Sequence, residues 1–120
     1  MTLTDQEIIT IAEWLGWTRV GLRPSPFGDA YPVGREPGAR PPFSELVIIP
    51  NFDSDPRACM QMWEQLAKEY GAVLQWSPER NRFECCALKL LGVGIGAGAS
   101  AGEAVCRCAL SVIAAGKGSA

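Results

Sequence analysis

The sequence predicts an α+β fold: an N-terminal helix, a long irregular loop, and then a short strand, a helix, a β-hairpin and a last helix. Three observations support this order. Two segments carry apolar residues at helical spacing behind N-cap residues, one segment alternates apolar and polar residues, and prolines crowd the part between them. We expect the helices to pack on a small antiparallel sheet. A chain of 120 residues is about the length of one domain, so a single domain over 1–120 is predicted.

The N-terminal helix is predicted over residues 5–15, within a first segment of 1–17. Thr4 followed by Glu7 has the spacing of a capping box, in which each side chain accepts the other residue's free backbone N–H. An apolar stripe at helical spacing follows, formed by Ile8, Ile11, Ala12 and Leu15. Gly16 is expected to end the helix because glycine readily adopts the left-handed C-cap conformation.

Residues 18–45 are predicted to form a long irregular loop, since six of the nine prolines fall here and no strand or helix period survives. Loops of more than about 15 residues are usually functional or mobile. Arginines alternate with aromatic residues, a composition typical of interaction surfaces. The alternative is a loop that folds back so that its aromatic residues cover the core. The predicted partner-binding residues are Arg19, Arg23, Phe27, Tyr31, Arg35, Arg40 and Phe43.

A compact core is predicted over 46–115, beginning with a short strand at 46–49. Asp55 is expected to cap a second helix, Pro56 to occupy its first position and Gly71 to end it. Its buried stripe is Cys59, Met62, Trp63, Leu66 and Tyr70. A hairpin is predicted next, with strands at 72–76 and 82–90 and a turn at 77–81. A last helix over 101–114 packs small residues on the sheet, and 116–120 form a frayed tail.

The glycine-rich run from Gly92 to Gly102 precedes the last helix, and glycine loops at helix N-termini can bind anions through backbone N–H groups. Its G-x-G-x-G spacing lacks the lysine of a phosphate-binding P-loop. A flexible connector is the competing interpretation. If the run binds a small ligand or nucleotide, as a sponge would, the contacts are expected at Gly96, Gly98, Ser100 and Gly102.

The residue composition argues against catalysis and against a cofactor or metal. The chain has no histidine to serve as the base for a nucleophilic cysteine, and its five cysteines contain no C-x-x-C pair. Asp53 and Asp55 are explained by helix capping. The net charge of −2 does not favour nucleic acid, no membrane segment is evident, and a missing signal peptide suggests the cytosol.

The C-terminal half resembles the phage ABA sandwich domain family. The resembling motifs are PNFDSDPRA at 50–58, MW at 62–63, FECC at 83–86 and GEAVCRCAL at 102–110, with a looser similarity in IAEWLGW at 11–17. The family has no established enzymatic function. The resemblance implies a phage or prophage protein that acts in the host cytosol by binding a host protein, for example an antiviral defence component. A structural subunit of a homo-oligomer is the further alternative.

Overall fold

The computed structural model describes residues 3–24, 26, 28–38, 46–90 and 94–118. Within these ranges the chain forms three helices and two antiparallel sheets of three strands each. The predicted α+β class is therefore confirmed. The chain divides into two compact units, one over Leu3–Pro50 and one that contains Asn51–Ala120.

The N-terminal unit begins with helix α1, Asp5–Trp14, which has the predicted capping box. The Thr4 N–H donates to Glu7 Oε1 at 2.9 Å, and the Glu7 N–H donates to Thr4 Oγ1 at 3.2 Å. At the other end, Gly16 has a φ of 96°. The Trp17 N–H then reaches the Ala12 carbonyl at 3.0 Å, and the Gly16 N–H reaches the Glu13 carbonyl at 3.1 Å. This pair of bonds is a Schellman motif, so Gly16 ends the helix as predicted.

The prediction of an irregular loop over 18–45 is wrong for much of that segment. Strand β1, Thr18–Pro24, pairs with strand β2, Ala30–Arg35, in an antiparallel hairpin. A short strand β3, Val47–Ile48, pairs with the other edge of β2. It therefore belongs to this N-terminal sheet and does not begin the C-terminal core.

The prolines fit this hairpin because of where they stand in the ladder. The Ile49 N–H donates to the Pro32 carbonyl at 3.1 Å, so the backbone groups of Pro32 point towards β3 and away from β1. Leu22 and Pro32 are therefore a non-hydrogen-bonded pair. Pro24 and Ala30, two residues further along the hairpin, are also a non-hydrogen-bonded pair. Neither proline nitrogen is required by the β1–β2 ladder, and the Pro32 nitrogen faces Ile49, which lies beyond the end of β3, so proline is tolerated at both positions.

The C-terminal unit begins with helix α2, Pro56–Tyr70, capped as the sequence predicts. Asp55 Oδ1 accepts the backbone N–H groups of Arg57 at 3.0 Å and Ala58 at 3.1 Å. Gly71, with a φ of 66°, ends the helix. Of the predicted stripe, Met62 and Leu66 are fully buried, whereas the other members, Cys59, Trp63 and Tyr70, are half-buried.

Three strands follow α2 in the order β4, Ala72–Ser77, β5, Arg82–Ala87, and β6, Ile95–Gly98. The predicted hairpin is confirmed as β4 and β5, although β5 ends three residues earlier than expected. Along β5, Cys85 and Ala87 are buried and alternate with partly exposed residues, as predicted. The glycine-rich connector prediction is wrong for β6, which pairs antiparallel with β5.

Helix α3, Ala101–Gly118, packs on β6 and β5 and also contacts α2. Its buried face consists of Ala104, Val105, Cys106, Cys108, Ala109 and Val112. Across this core the Cys106 thiol meets Met62 Sδ at 3.8 Å. The prediction of a frayed tail from residue 116 is wrong as far as Gly118, because α3 continues to that residue. The two glycines at 116 and 118 are tolerated since a glycine in a helix costs only about 1 kcal/mol.

Candidate functional site

The β1–β2 hairpin brings three of the predicted partner-binding residues onto one face. Arg23 lies directly opposite Tyr31, and Arg35 follows on β2 at an even spacing from Tyr31. Side chains two or four residues apart on a strand point to the same side, so these three share a face. Arg23 is exposed, whereas Tyr31 and Arg35 are half-buried.

The same face of the hairpin also carries an exposed apolar residue. Ile48 of β3 pairs with Val33, which lies between Tyr31 and Arg35 on β2. The Ile48 side chain is 67% exposed, and Val33 is buried. The face therefore combines two arginines, a tyrosine and an isoleucine over about 13 Å, the length of four strand residues.

The other predicted contact residues are not brought onto this face. Arg19 lies in the β-bulge between Thr18 and Gly21 and has a φ of 53°, a left-handed conformation that is uncommon outside glycine. Phe27, Arg40 and Phe43 lie outside the described residues, so their assignment stays a prediction.

The predicted anion-binding glycines are engaged in packing between β6 and α3. A Cβ on Gly96 would come closer than 3.0 Å to backbone atoms of α3, and a Cβ on Gly98 would meet the Glu103 side chain. A Cβ on Gly102 would also come closer than 3.0 Å to the backbone carbonyl of Asp53. The glycines thus allow a close approach of helix and strand, which is one of the main reasons for glycine in a strand.

Ser100 has a capping role at the start of α3. Its Oγ accepts the Glu103 N–H at 3.1 Å, and the Ser100 carbonyl accepts the Ala104 N–H at 3.1 Å. An acidic side chain, Glu103, also lies in this first turn. Since Glu103 already supplies negative charge at this helix end, the geometry gives no support to anion binding by these residues.

A groove of about 700 Å³ lies between the outer edge of β6 and α3, a site that the sequence reasoning missed. Its lining includes Arg82, Ile95, Ala97, Glu103, Arg107 and Ser111. The sequence does contain a signal for it. Glycine recurs at every second position from 92 to 98, and two residues is the side-chain period of a strand. A strand with its glycines turned towards a helix leaves its other residues at the surface.

The charges in and beside this groove are partly compensated. Arg107 Nη2 pairs with Glu103 Oε1 at 3.1 Å along α3. Arg82 Nη2 lies 3.7 Å from Glu84 Oε2, which also meets Arg80 Nη1 at 3.2 Å. The Arg82 Nε is buried without a hydrogen-bond partner in the described part of the chain.

Three of the five cysteines are packing residues of the core. Cys85, Cys106 and Cys108 are fully buried. The hydrogen bond with the Cys108 thiol, followed by burial, raises the pKa of Cys85 above its usual value. Burial, followed by the Asp53 carboxylate, raises the pKa of Cys59. Because the thiolate is the nucleophile and the metal ligand, the raised pKa values of Cys59 and Cys85 reduce both activities at neutral pH. The hydrogen bond with Cys85 lowers the pKa of Cys108, whose side chain is fully buried.

We expect alkylation to separate these thiols. Iodoacetamide at neutral pH should label the half-buried Cys86 first and Cys59 more slowly, while the three fully buried thiols stay unmodified. Peptide mass spectrometry checks this, with all five thiols labelled in denaturant as the control. Labelling of Cys85 in the native chain as fast as Cys86 would contradict the assignment.

Over the described ranges, no three His, Cys, Asp or Glu side chains are grouped so that they could hold a metal ion. No described helix is long and apolar enough to cross a membrane. No family model matches the sequence, and no curated protein or solved structure matches it significantly.

Proposed function

We propose that this protein acts without catalysis, by binding a host protein through the hairpin face formed by Arg23, Tyr31, Arg35 and Ile48. The observation that carries the proposal is the placement of these four side chains on one side of a paired β-structure. Tyrosine and arginine are the residues that most often dominate binding energy at protein interfaces. The exposed Ile48 beside them supplies apolar surface that a bound partner would remove from water.

The hairpin strengthens the proposal compared with the irregular loop expected from the sequence. Binding through a disordered loop costs free energy because its side chains and backbone must be ordered in the complex. On a hydrogen-bonded hairpin the spacing of Arg23, Tyr31 and Arg35 exists before the partner arrives. Less of the interaction energy is then lost to ordering.

The class of partner is proposed from the family resemblance. A phage or prophage accessory protein works in the cytosol of the bacterial host, and its useful targets there include proteins of antiviral defence. The non-catalytic part of the proposal is supported by the missing histidine and by the raised pKa values of Cys59 and Cys85. A protein that inhibits a defence protein by covering its functional surface needs only to bind and requires no catalysis.

A pull-down from lysate of a bacterial host tests the proposal. With the full chain as bait, we expect quantitative mass spectrometry to show a small set of enriched host proteins. The triple variant Arg23→Ala/Tyr31→Ala/Arg35→Ala should reduce that enrichment at least about tenfold, since truncating one hot-spot residue already costs about 2 kcal/mol or more.

The matched control changes the solvent-exposed face of α2. The variant Arg57→Ala/Gln61→Ala/Lys68→Ala also removes two positive charges and one uncharged side chain, all of them exposed. It should recover the same proteins as the wild type. Equal recovery by the hairpin variant would contradict the binding face, and an absence of any enriched host protein would contradict the proposed function.

A further inference from the structure

Strand β6 is an edge of the C-terminal sheet, and its hydrogen-bonding direction can be assigned. The Ala87 N–H donates to the Gly94 carbonyl at 2.7 Å, so Ala87 and Gly94 are a hydrogen-bonded pair. Such pairs alternate along an antiparallel ladder. Gly96 and Gly98 therefore bond to β5, whereas the backbone groups of Ile95 and Ala97 point outwards.

These outward groups are largely unused. The Ser111 hydroxyl donates to the Ile95 carbonyl at 3.1 Å. The N–H groups of Ile95 and Ala97 have no acceptor in the structure as far as it is described. Natural edge strands are protected by proline, charge, a bulge, short length or a covering element. Strand β6, Ile-Gly-Ala-Gly, is short, but it has no proline, charge or bulge.

The groove beside this edge fits an extended chain. It runs along all four residues of β6, which span about 13 Å at the usual rise of a strand. Helix α3 forms one wall, with Arg107 and Ser111 among the lining residues. The Ile95 side chain, 48% exposed, points to the sheet face away from the glycine contacts with α3.

A second copy of β6 does not fit this edge in antiparallel pairing, which would place both α3 helices on the same sheet face. Helix α3 lies so close above β6 that a Cβ at Gly96 would collide with its backbone. Two β6 strands paired edge to edge would lie about 5 Å apart. Their α3 helices would then approach far closer than the about 8–10 Å that packed helices need. The edge therefore accepts a strand that has no helix above it.

We propose that the β6 edge binds an extended segment of a partner protein by β-strand addition, with Ile95 and Ala97 supplying the main-chain hydrogen bonds. Guest residues opposite these two lie on the same sheet face as Ile95, where β-branched side chains give the best cross-strand contact. Main-chain bonds provide affinity in this mode, and alternate side chains provide specificity. The site is separate from the hairpin face, so its test is independent of the proposed function.

The probe is a synthetic peptide, acetyl-Lys-Thr-Val-Thr-Val-Thr-Lys-amide, added to the ¹⁵N-labelled full chain. At about 1 mM peptide, a concentration suited to weak binding, we expect the Ile95 and Ala97 amide resonances to shift. Their hydrogen exchange should slow about tenfold or more as they gain acceptors. The Gly96 and Gly98 amides, already bonded to β5, should keep their exchange rates. The same peptide N-methylated at every amide should cause none of these changes.

Two variants complete the test. Ala97→Pro removes an outward N–H that the β5 ladder does not use, so the fold should persist while peptide binding is lost. Ala97→Thr keeps the N–H and should still bind. Unshifted Ile95 and Ala97 amides, equal shifts with the methylated peptide, or unchanged binding by Ala97→Pro would overturn the proposal. So would shifts of these amides on simple concentration of the chain, which would indicate pairing between copies.

Discussion

Replacing Gly96 with alanine is expected to lower the free energy of unfolding by about 3 kcal/mol or more, the upper part of the range for overpacking. The added methyl group would come closer than 3.0 Å to backbone atoms of Ala104, Arg107 and Cys108. Backbone atoms cannot rotate away as a side-chain end can. Relief would require α3 to move off the sheet, and that movement would open the core of the C-terminal unit.

Urea unfolding followed by circular dichroism measures this effect, with two glycine variants as controls. Gly116→Ala adds a methyl group that meets no atom within 4 Å, and it should leave stability equal or slightly higher. The methyl group of Gly98→Ala would meet the Glu103 side chain, whose outer atoms can turn aside although its Cβ cannot, so the loss of stability should lie between the other two. If Gly96→Ala unfolds at the same urea concentration as Gly116→Ala, the close approach of α3 to β6 is wrong.

The second large effect is expected for Leu66→Ala, which should cost about 2–5 kcal/mol. The Leu66 side chain is fully buried on the inner face of α2. Removing it loses the free energy of burial and leaves a cavity that the surrounding helices and sheet can only partly fill. Met62 and the Cys106 thiol, which are in contact, lie in the same buried core.

Met60→Ala is the matched control, because it shortens a large apolar residue on the same helix at a position that is 55% exposed. We expect its effect on the free energy of unfolding, measured by the same urea titration, to stay within about 0.5 kcal/mol, the usual range for surface changes. Comparable losses for Leu66→Ala and Met60→Ala would mean that the inner face of α2 has been assigned wrongly.

The features that sequence reasoning predicted well are those stabilised by near neighbours. Thr4 and Glu7 are three residues apart, and Asp55 caps N–H groups two and three residues along the chain. Gly16 ends its helix through bonds within five residues. Because both partners of each bond fall inside one short stretch, residue type and spacing are sufficient to predict them.

The two largest errors both concern strands. The prolines predict irregular structure after α1, yet Pro24 and Pro32 occupy positions where the β1–β2 ladder needs no N–H. The glycines predict a connector before α3, yet Gly96 and Gly98 lie where the helix leaves no room for a side chain. In each case the outcome depends on a partner strand or helix that the composition of the segment does not reveal, so the local composition is misleading.

The candidate sites divide in the same way. Sequence reasoning selected Arg23, Tyr31 and Arg35 from their residue types, but only the register of the hairpin places them on one face with Ile48. The groove along β6 was not foreseen, because an unpaired edge exists only once the order of the strands is known.

The amino-acid sequence by itself determined the fold class, the ends of α1 and α2, and the burial of Met62 and Leu66 on α2 and of Cys85 and Ala87 on β5. These depend on caps and on apolar periodicity, both of which act over a few residues. The tertiary structure alone decided which strands pair, why alternate glycines lie beneath α3 and which main-chain groups remain open. Those outcomes depend on hydrogen-bonding and packing partners that the folded chain brings together from distant positions.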